Sequence, residues 1–171
     1  MDIAKHLQTE YNTAGIVYLA QAAANDSKIF KQLFQIYLQG EETLKRRAAW
    51  SLGHTAVINP KQFKNTLPGL VKQLETPALH QSLYRCAFKC LEEIDIGEKY
   101  LGKIFDLACR YLVSEIYEAA VRAFAITVAT KCAMPYRELR DELKLVLRTL
   151  ISENQSPAIR VRVKKALKDL A

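Results

Sequence analysis

The chain has 171 residues, a formal net charge of +7 and an apolar content of 50%, which exclude a disordered tail and fit one domain. Only 6 glycines and 5 prolines accompany abundant Ala, Leu, Glu, Lys and Arg, so helices are favoured over a β-sandwich or a barrel. These properties predict an all-α fold and indicate no specific activity.

The first segment, residues 1–25, is predicted to be a helical cap that precedes the repeats described below. It begins MDIAKHLQTE, which has no apolar run after a basic start and therefore does not resemble a signal peptide. No stretch of the sequence reaches the roughly 18 consecutive apolar residues of a membrane-spanning helix. We therefore expect a cytoplasmic protein that does not bind a membrane and whose thiols stay reduced.

From residue 28 onward the sequence repeats with a period of 37 to 39 residues. Four stripes of apolar and small residues have the i, i+4, i+7, i+8 spacing of one helix face. A bulkier stripe precedes each of them, so each repeat is predicted to be two helices. The first stripes are Phe30, Leu33, Phe34, Tyr37; Leu67, Leu70, Val71, Leu74; Ile104, Leu107, Ala108, Tyr111; and Leu143, Val146, Leu147, Leu150. The second stripes are Leu44, Ala48, Ser51, Leu52; Leu83, Ala87, Cys90, Leu91; Val121, Ala125, Val128, Ala129; and Ile159, Val163, Ala166, Leu167.

These stripes predict four helical hairpins within a single domain that spans residues 1–171. Prolines at helix starts, where a missing N–H costs nothing, and hydroxyl residues at N-caps are expected to mark the helix boundaries. The hairpins are predicted at about 28–57, 60–94, 97–131 and 135–170, with helix starts near Pro60, Pro77, Pro135 and Pro157 and N-caps at Thr76, Ser114 and Ser156.

The two-helix unit and its period resemble the HEAT-repeat family. Further likeness comes from Pro68 inside the first helix LPGLVKQL and from the run IRVRVKKAL, Ile159 to Leu167. Basic residues also follow the first apolar position of three second helices, at Lys45, Arg122 and Arg160, whereas Tyr84 departs from this pattern. The resemblance implies a right-handed, armadillo-like α-solenoid of about four antiparallel hairpins.

Two stretches also resemble a group of small bacterial HEAT-like proteins, some of which are labelled adenylosuccinate lyases. They are RRAAWSLGHTAVINP, from Arg46 to Pro60, and VRAFAITVATK, from Val121 to Lys131. Such a lyase resembles a much longer chain that builds its active site from several subunits. Only Met134-Pro135 echoes its catalytic loop, so we expect no lyase activity.

The side of each second helix opposite the core stripe is the candidate binding surface, because second helices usually line the concave face of such solenoids. Basic residues there would contact acidic side chains or phosphates, with Trp50 as an apolar or stacking anchor. The alternative interpretation is an ordinary solvated face, with Trp50 packed between neighbouring second helices. The predicted binding residues are Arg46, Trp50, Arg85, Lys89, Lys165 and Lys168.

The charge excess is concentrated near the end of the sequence. Residues 1–130 contain 15 basic and 13 acidic residues, a difference of +2, whereas residues 131–171 contain 10 and 5, a difference of +5. Capping of the last helix would account for much of this excess, because a polar outer face and cations in a final turn are both favourable there.

No motif for phosphate loops, dinucleotide turns, nucleophile elbows or zinc proteases occurs, and we predict no catalytic residue, cofactor or metal. Adjacent residues on a helix point about 100° apart, so the two acids of each neighbouring pair form no catalytic dyad. The pairs are Glu41-Glu42, Glu92-Glu93 and Asp141-Glu142, and Glu41-Glu42 is expected in a first helical turn. The cysteines, Cys86, Cys90, Cys109 and Cys132, are expected to be buried thiols, and His6, His54 and His80 lie near none of them in sequence.

The most direct interpretation is a non-enzymatic module that binds a protein or peptide partner of acidic character on its concave face. The alternative is a nucleic-acid-binding protein similar to the HEAT-like DNA alkylpurine glycosylases. Those enzymes resemble longer chains with a pocket that bears Trp and Asp, and Trp50 has no acidic companion that the sequence identifies.

Overall fold

The computed structural model describes residues 1–151 and 155–171 and divides into two compact units, residues 1–95 and 96–171. The described ranges contain helices and no strand, which confirms the predicted all-α class. In unit 1 the helices are α1 (Ile3–Thr9), α2 (Thr13–Asn25), α3 (Ser27–Gln39), α4 (Glu42–Ile58), a 3-10 helix (Pro60–Phe63), α5 (Leu67–Glu75) and α6 (Gln81–Glu93). In unit 2 they are α7 (Gly97–Val113), α8 (Ala119–Ala133), α9 (Arg137–Thr149) and α10 (Pro157–Asp169).

Each predicted hairpin is a pair of helices in the structure: α3 with α4, α5 with α6, α7 with α8, and α9 with α10. The last predicted hairpin, 135–170, includes residues 152–154, which lie outside the described residues. The predicted stripes lie in the core together with further buried residues such as Leu19 and Phe88. Every position of the stripes is buried except five that are partly buried. Those five are Phe34, Leu44, Leu67, Val146 and Leu167.

Residues 1–25 contribute a helix to the series of second helices, because α2 packs beside α4. Three polar side chains of α4 and its C-cap donate hydrogen bonds to carbonyl oxygens of α2. Each donor lies 35 residues after its acceptor, and successive pairs advance four residues along both helices, so α2 and α4 run parallel in one register. The pairs are Ser51 Oγ to Ile16 O (3.3 Å), Thr55 Oγ1 to Ala20 O (3.4 Å) and Asn59 Nδ2 to Ala24 O (2.8 Å).

Replacing Asn59 with alanine should lower the free energy of unfolding by about 1 kcal/mol, because it removes the shortest of these bonds between helices. Asn25→Ala is the matched control, since Asn25 Nδ2 donates at 2.9 Å to Gln21 O within its own helix. That exposed bond should be worth less than about 0.5 kcal/mol. Urea denaturation measures both variants, and equal stability of the two would contradict the assignment.

Some predicted helix boundaries are confirmed and others are wrong. Pro157 is the first residue of α10, and Ser156 Oγ accepts a hydrogen bond from Ile159 N (3.4 Å), as an N-cap should. Thr76 is instead the C-cap of α5, where its hydroxyl donates to Lys72 O (2.7 Å). Ser114 is the C-cap of α7, five residues before α8 begins at Ala119. A hydroxyl side chain serves either end of a helix, which is why the two wrong N-caps looked plausible.

Two of the four prolines lie in loops rather than at helix starts. Pro77 precedes Ala78, whose φ of +58° is incompatible with a right-handed helix, and α6 begins only at Gln81. Its N-cap is His80, whose Nδ1 accepts a hydrogen bond from Ser82 N (3.2 Å). Pro135 lies two residues before α9 begins.

The region after Pro60 does not form one continuous helix. Pro60 starts the 3-10 helix, and α5 begins at Leu67 because Pro68 fits only the first turn of an α-helix. Phe63, at the end of the 3-10 helix, is 1% exposed. Its ring packs edge-on against Phe30 of α3, with centroids 4.7 Å apart. This aromatic contact fixes the irregular segment to the core of unit 1.

Candidate functional site

The neighbouring helices α4 and α6 of unit 1 carry four of the predicted binding residues. Arg46 and Trp50 on α4 and Arg85 and Lys89 on α6 occupy equivalent positions, 39 residues apart in each case. We call these four residues the α4–α6 face. The two helices are in direct contact, because Cys90 Sγ lies 3.9 Å from Leu52 O. The two helices also approach each other closely beside Lys89, because a Cβ added to Gly53 of α4 would lie 3.6 Å from Lys89 Cγ.

Trp50 lies on the surface with 45% of its area exposed, which contradicts the interpretation that it packs between second helices. Its ring lies against that of Tyr11, with centroids 6.5 Å apart. Arg47 holds Tyr11 in place, since its guanidinium lies 4.8 Å from the Tyr11 ring centroid. The same guanidinium donates to Leu7 O (2.8 Å) and Gln8 O (3.1 Å) near the end of α1. Trp50 and Tyr11 thus form an exposed aromatic pair, and the contacts of Arg47 hold the Tyr11 ring in position.

Lys89, one of the predicted binding residues, forms ion pairs with acidic residues of its own helix. Its Nζ lies 2.7 Å from Glu93 Oε1 and 3.5 Å from Glu92 Oε2. Burial lowers the pKa of Lys89, but the hydrogen bond to Glu93 and the two carboxylates outweigh that effect and leave the pKa raised. Lys89 is therefore charged at neutral pH, and its charge is locally neutralised.

Arg46 and Arg85 are the cations of the face that have no partner among the described residues. Arg46 is exposed and Arg85 is partly exposed. Neither forms an ion pair or a side-chain hydrogen bond with any residue in the described ranges. Both guanidinium groups are therefore available to an external carboxylate or phosphate.

On helix α8 of unit 2, the side that corresponds to the α4–α6 face is covered rather than exposed. On α8, Ala123 and Thr130 are buried, and Thr127 Oγ1 accepts a hydrogen bond from Arg162 Nη1 of α10 (2.6 Å). This side of α8 is therefore covered. The remaining predicted binding residues, Lys165 and Lys168, are exposed on α10.

The cysteines are free thiols that pack as small apolar side chains. Cys86, Cys90 and Cys132 are buried, as predicted, whereas Cys109 is only partly buried. Burial raises the pKa of Cys109 and of Cys132 to about 12. Thiols with such pKa values stay protonated at neutral pH and are poor nucleophiles and metal ligands. No group of three or more His, Cys, Asp or Glu side chains within residues 1–151 and 155–171 is placed to hold a metal ion.

The acid pairs have contacts that stabilise helices. Glu41 is the N-cap of α4 and accepts a hydrogen bond from Thr43 N (3.3 Å), with Glu42 in the first turn, as predicted. Asp141 lies between Arg137 and Lys144 on α9, at 3.8 and 3.3 Å.

Comparison with known proteins identifies the same architecture. A family model described as HEAT repeat domain matches residues 3–170. Among solved structures, the chain is similar to a designed armadillo repeat protein in complex with the peptide (KR)4, with a TM-score of 0.51, 13% sequence identity and 100% of each chain covered. At this identity the similarity shows the fold alone, and it confirms the predicted solenoid class. No curated protein matches the chain.

Throughout the described ranges, no helix combines the length and the apolar character that crossing a bilayer requires.

Proposed function

Because the chain belongs to the HEAT repeat family, we propose that it is a non-enzymatic module that binds a protein or peptide through the α4–α6 face. Repeat folds of this kind are typically protein-binding scaffolds. The observation that carries the proposal is the exposed Trp50, which lies against Tyr11 and shares the α4–α6 face with Arg46 and Arg85, two arginines that have no partner within residues 1–151 and 155–171. Trp, Tyr and Arg are the residue types that contribute most to protein–protein binding energy.

The charge of the face also favours a protein partner over nucleic acid. Arg46, Arg85 and Lys89 contribute three positive charges, and Glu92 and Glu93 remove two of them, which leaves +1. Nucleic-acid binding depends on many uncompensated cations that displace counterions from phosphates. A nearly neutral surface with an exposed aromatic pair instead resembles the anchor region of a protein interface.

The expected partner is a segment that combines an apolar side chain with nearby carboxylates. The apolar group would pack on Trp50, and the carboxylates would form paired hydrogen bonds with Arg46 and Arg85. The designed armadillo protein was solved with the basic peptide (KR)4. We expect an acidic partner for this chain, because Arg46 and Arg85 of the face are cations that have no partner in the part of the chain that the structure describes.

Selection of random peptides displayed on phage tests the proposal. The selected sequences should be enriched in Asp or Glu close to an aromatic or aliphatic residue. The double variant Arg46→Glu, Arg85→Glu should bind them at least about 100-fold more weakly, because each reversal replaces a charge-assisted hydrogen bond with repulsion. Isothermal titration calorimetry measures the affinities.

The matched control is Lys28→Glu, Lys31→Glu, which makes the same charge change at two exposed positions of α3. This variant should bind the selected peptides within about threefold of the wild type. Circular dichroism should show unchanged helicity for both variants. Equal losses in the two variants, or unchanged binding by the Arg46 and Arg85 variant, would contradict the proposed site.

A further inference from the structure

Helix α10 of unit 2 presents a row of cations to solvent. The exposed side chains are Arg160, Lys164, Lys165 and Lys168. Arg160, Lys164 and Lys168 follow each other at intervals of four residues and lie on one side of the helix, with Lys165 beside them. At 1.5 Å per residue, the row places four positive charges within about 12 Å. We call these four residues the α10 basic row.

The row is not neutralised within the part of the chain that the structure describes. None of its four side chains forms an ion pair or a hydrogen bond with a described residue. On helix α9 in the same unit, by contrast, the cations Arg137 and Lys144 form ion pairs with Asp141. The remaining cation of α10, Arg162, points to α8, where it contacts Thr127 and the ring of Phe124.

The helix dipole does not account for the row. Lys168 is the only basic residue in the last turn of α10, where a cation opposes the negative end of the helix dipole. Lys164 and Lys165 lie in the middle of the helix. Arg160 lies in the first turn, where the dipole disfavours a cation. Of the two parts of the capping explanation, the dipole part therefore applies to one of these four charges, whereas a polar outer face agrees with all four exposed side chains.

We propose that the α10 basic row binds the phosphodiester backbone of nucleic acid without reading its sequence. This inference concerns a different surface from the α4–α6 face and does not depend on the function proposed for that face. Exposed lysines and an arginine on one side of a helix suit phosphates, which dominate such binding and carry no sequence information.

A protein partner fits this row less well than a polyanion. Single exposed ion pairs contribute only about 0 to 1 kcal/mol, so a protein interface needs apolar anchors as well. Beside the row the only large exposed apolar side chain of α10 is Val161. A nucleic-acid backbone gains affinity from each cation through the release of condensed counterions and needs no such anchor.

Fluorescence anisotropy with a short labelled DNA duplex tests the inference. Four phosphate contacts predict a slope of about −3.6 for the logarithm of the association constant against the logarithm of salt concentration. Affinity should therefore fall by about 150-fold between about 50 mM and about 200 mM salt. The double variant Lys164→Gln, Lys165→Gln should bind more weakly, with a slope near half that value.

The control Lys28→Gln, Lys31→Gln removes the same net charge from α3 and should keep the wild-type slope. Equal effects of the two double variants would overturn the inference, because binding would then reflect net charge alone. Failure of the duplex to bind at low salt would overturn it as well. So would equally tight binding of a poly-glutamate peptide with the same number of charges, since the row would then select carboxylates as readily as phosphates.

Discussion

Replacing Trp50 with alanine should weaken the binding of peptides selected on the wild-type chain by about 30-fold or more. This loss corresponds to at least about 2 kcal/mol, as is usual for a central aromatic anchor. The Trp50 ring is 45% exposed, lies against Tyr11 and is therefore already positioned before a partner arrives. A partner gains its apolar area with little cost in side-chain ordering. Isothermal titration calorimetry gives the two affinities.

Two further variants separate an anchor from a general apolar effect. Trp50→Phe keeps an aromatic surface and should lose less than about tenfold in affinity. Leu145→Ala on α9 removes an apolar side chain that is 64% exposed in unit 2 and should leave peptide binding unchanged. If Leu145→Ala weakened binding as much as Trp50→Ala did, Trp50 would have no special role.

The second large effect concerns stability rather than binding. Replacing Phe63 with alanine should lower the free energy of unfolding by about 3 to 5 kcal/mol, because it leaves a cavity at a fully buried aromatic position. Typical domains have a total stability of about 5 to 15 kcal/mol, so this variant should be close to unfolding. Urea denaturation followed by the fluorescence of Trp50, the single tryptophan of the chain, reports on unit 1.

Phe63→Leu is the matched variant, because it retains most of the apolar volume and should cost less than about 1.5 kcal/mol. A loss below about 1 kcal/mol for Phe63→Ala would show that the 3-10 segment can detach from Phe30 and Phe34 without disturbing the core. Far-ultraviolet circular dichroism at zero urea checks that each variant is folded before denaturation begins.

Hydrophobic periodicity predicted the helix pairs and about half of the core, because burial of a helix stripe depends on spacing that the sequence displays directly. Buried residues such as Leu19, Phe63 and Phe88 lie outside the predicted stripes. The sequence also displays the spacing that produces the ion pairs of Lys89, because Glu92 and Glu93 follow it by three and four residues on one helix. Lys89 is predicted to contact a partner when its own position alone is considered, whereas these two neighbours neutralise it locally. The predicted second hairpin begins at Pro60, although Pro68 requires a new helix start.

Tyr11 and Arg47 were missed for a different reason. Tyr11 lies in the short connection between α1 and α2, outside every periodic stripe. Its position depends on Arg47, which reaches carbonyl groups of residues about 40 positions earlier in the chain. Periodicity describes one helix at a time and contains no information about such a contact. The exposure of Trp50 is decided in the same way, by which neighbours pack around it.

The polar contacts between α2 and α4 affect how unit 1 opens. Asn59 and Gln62 both donate to Ala24 O, a carbonyl in the last turn of α2 that has no partner within its own helix. The end of α2 therefore loses its hydrogen-bond partners whenever the end of α4 moves away. Coupling of this kind makes fraying of one repeat costly for the next, so the two helices should exchange their amide protons as one cooperative unit.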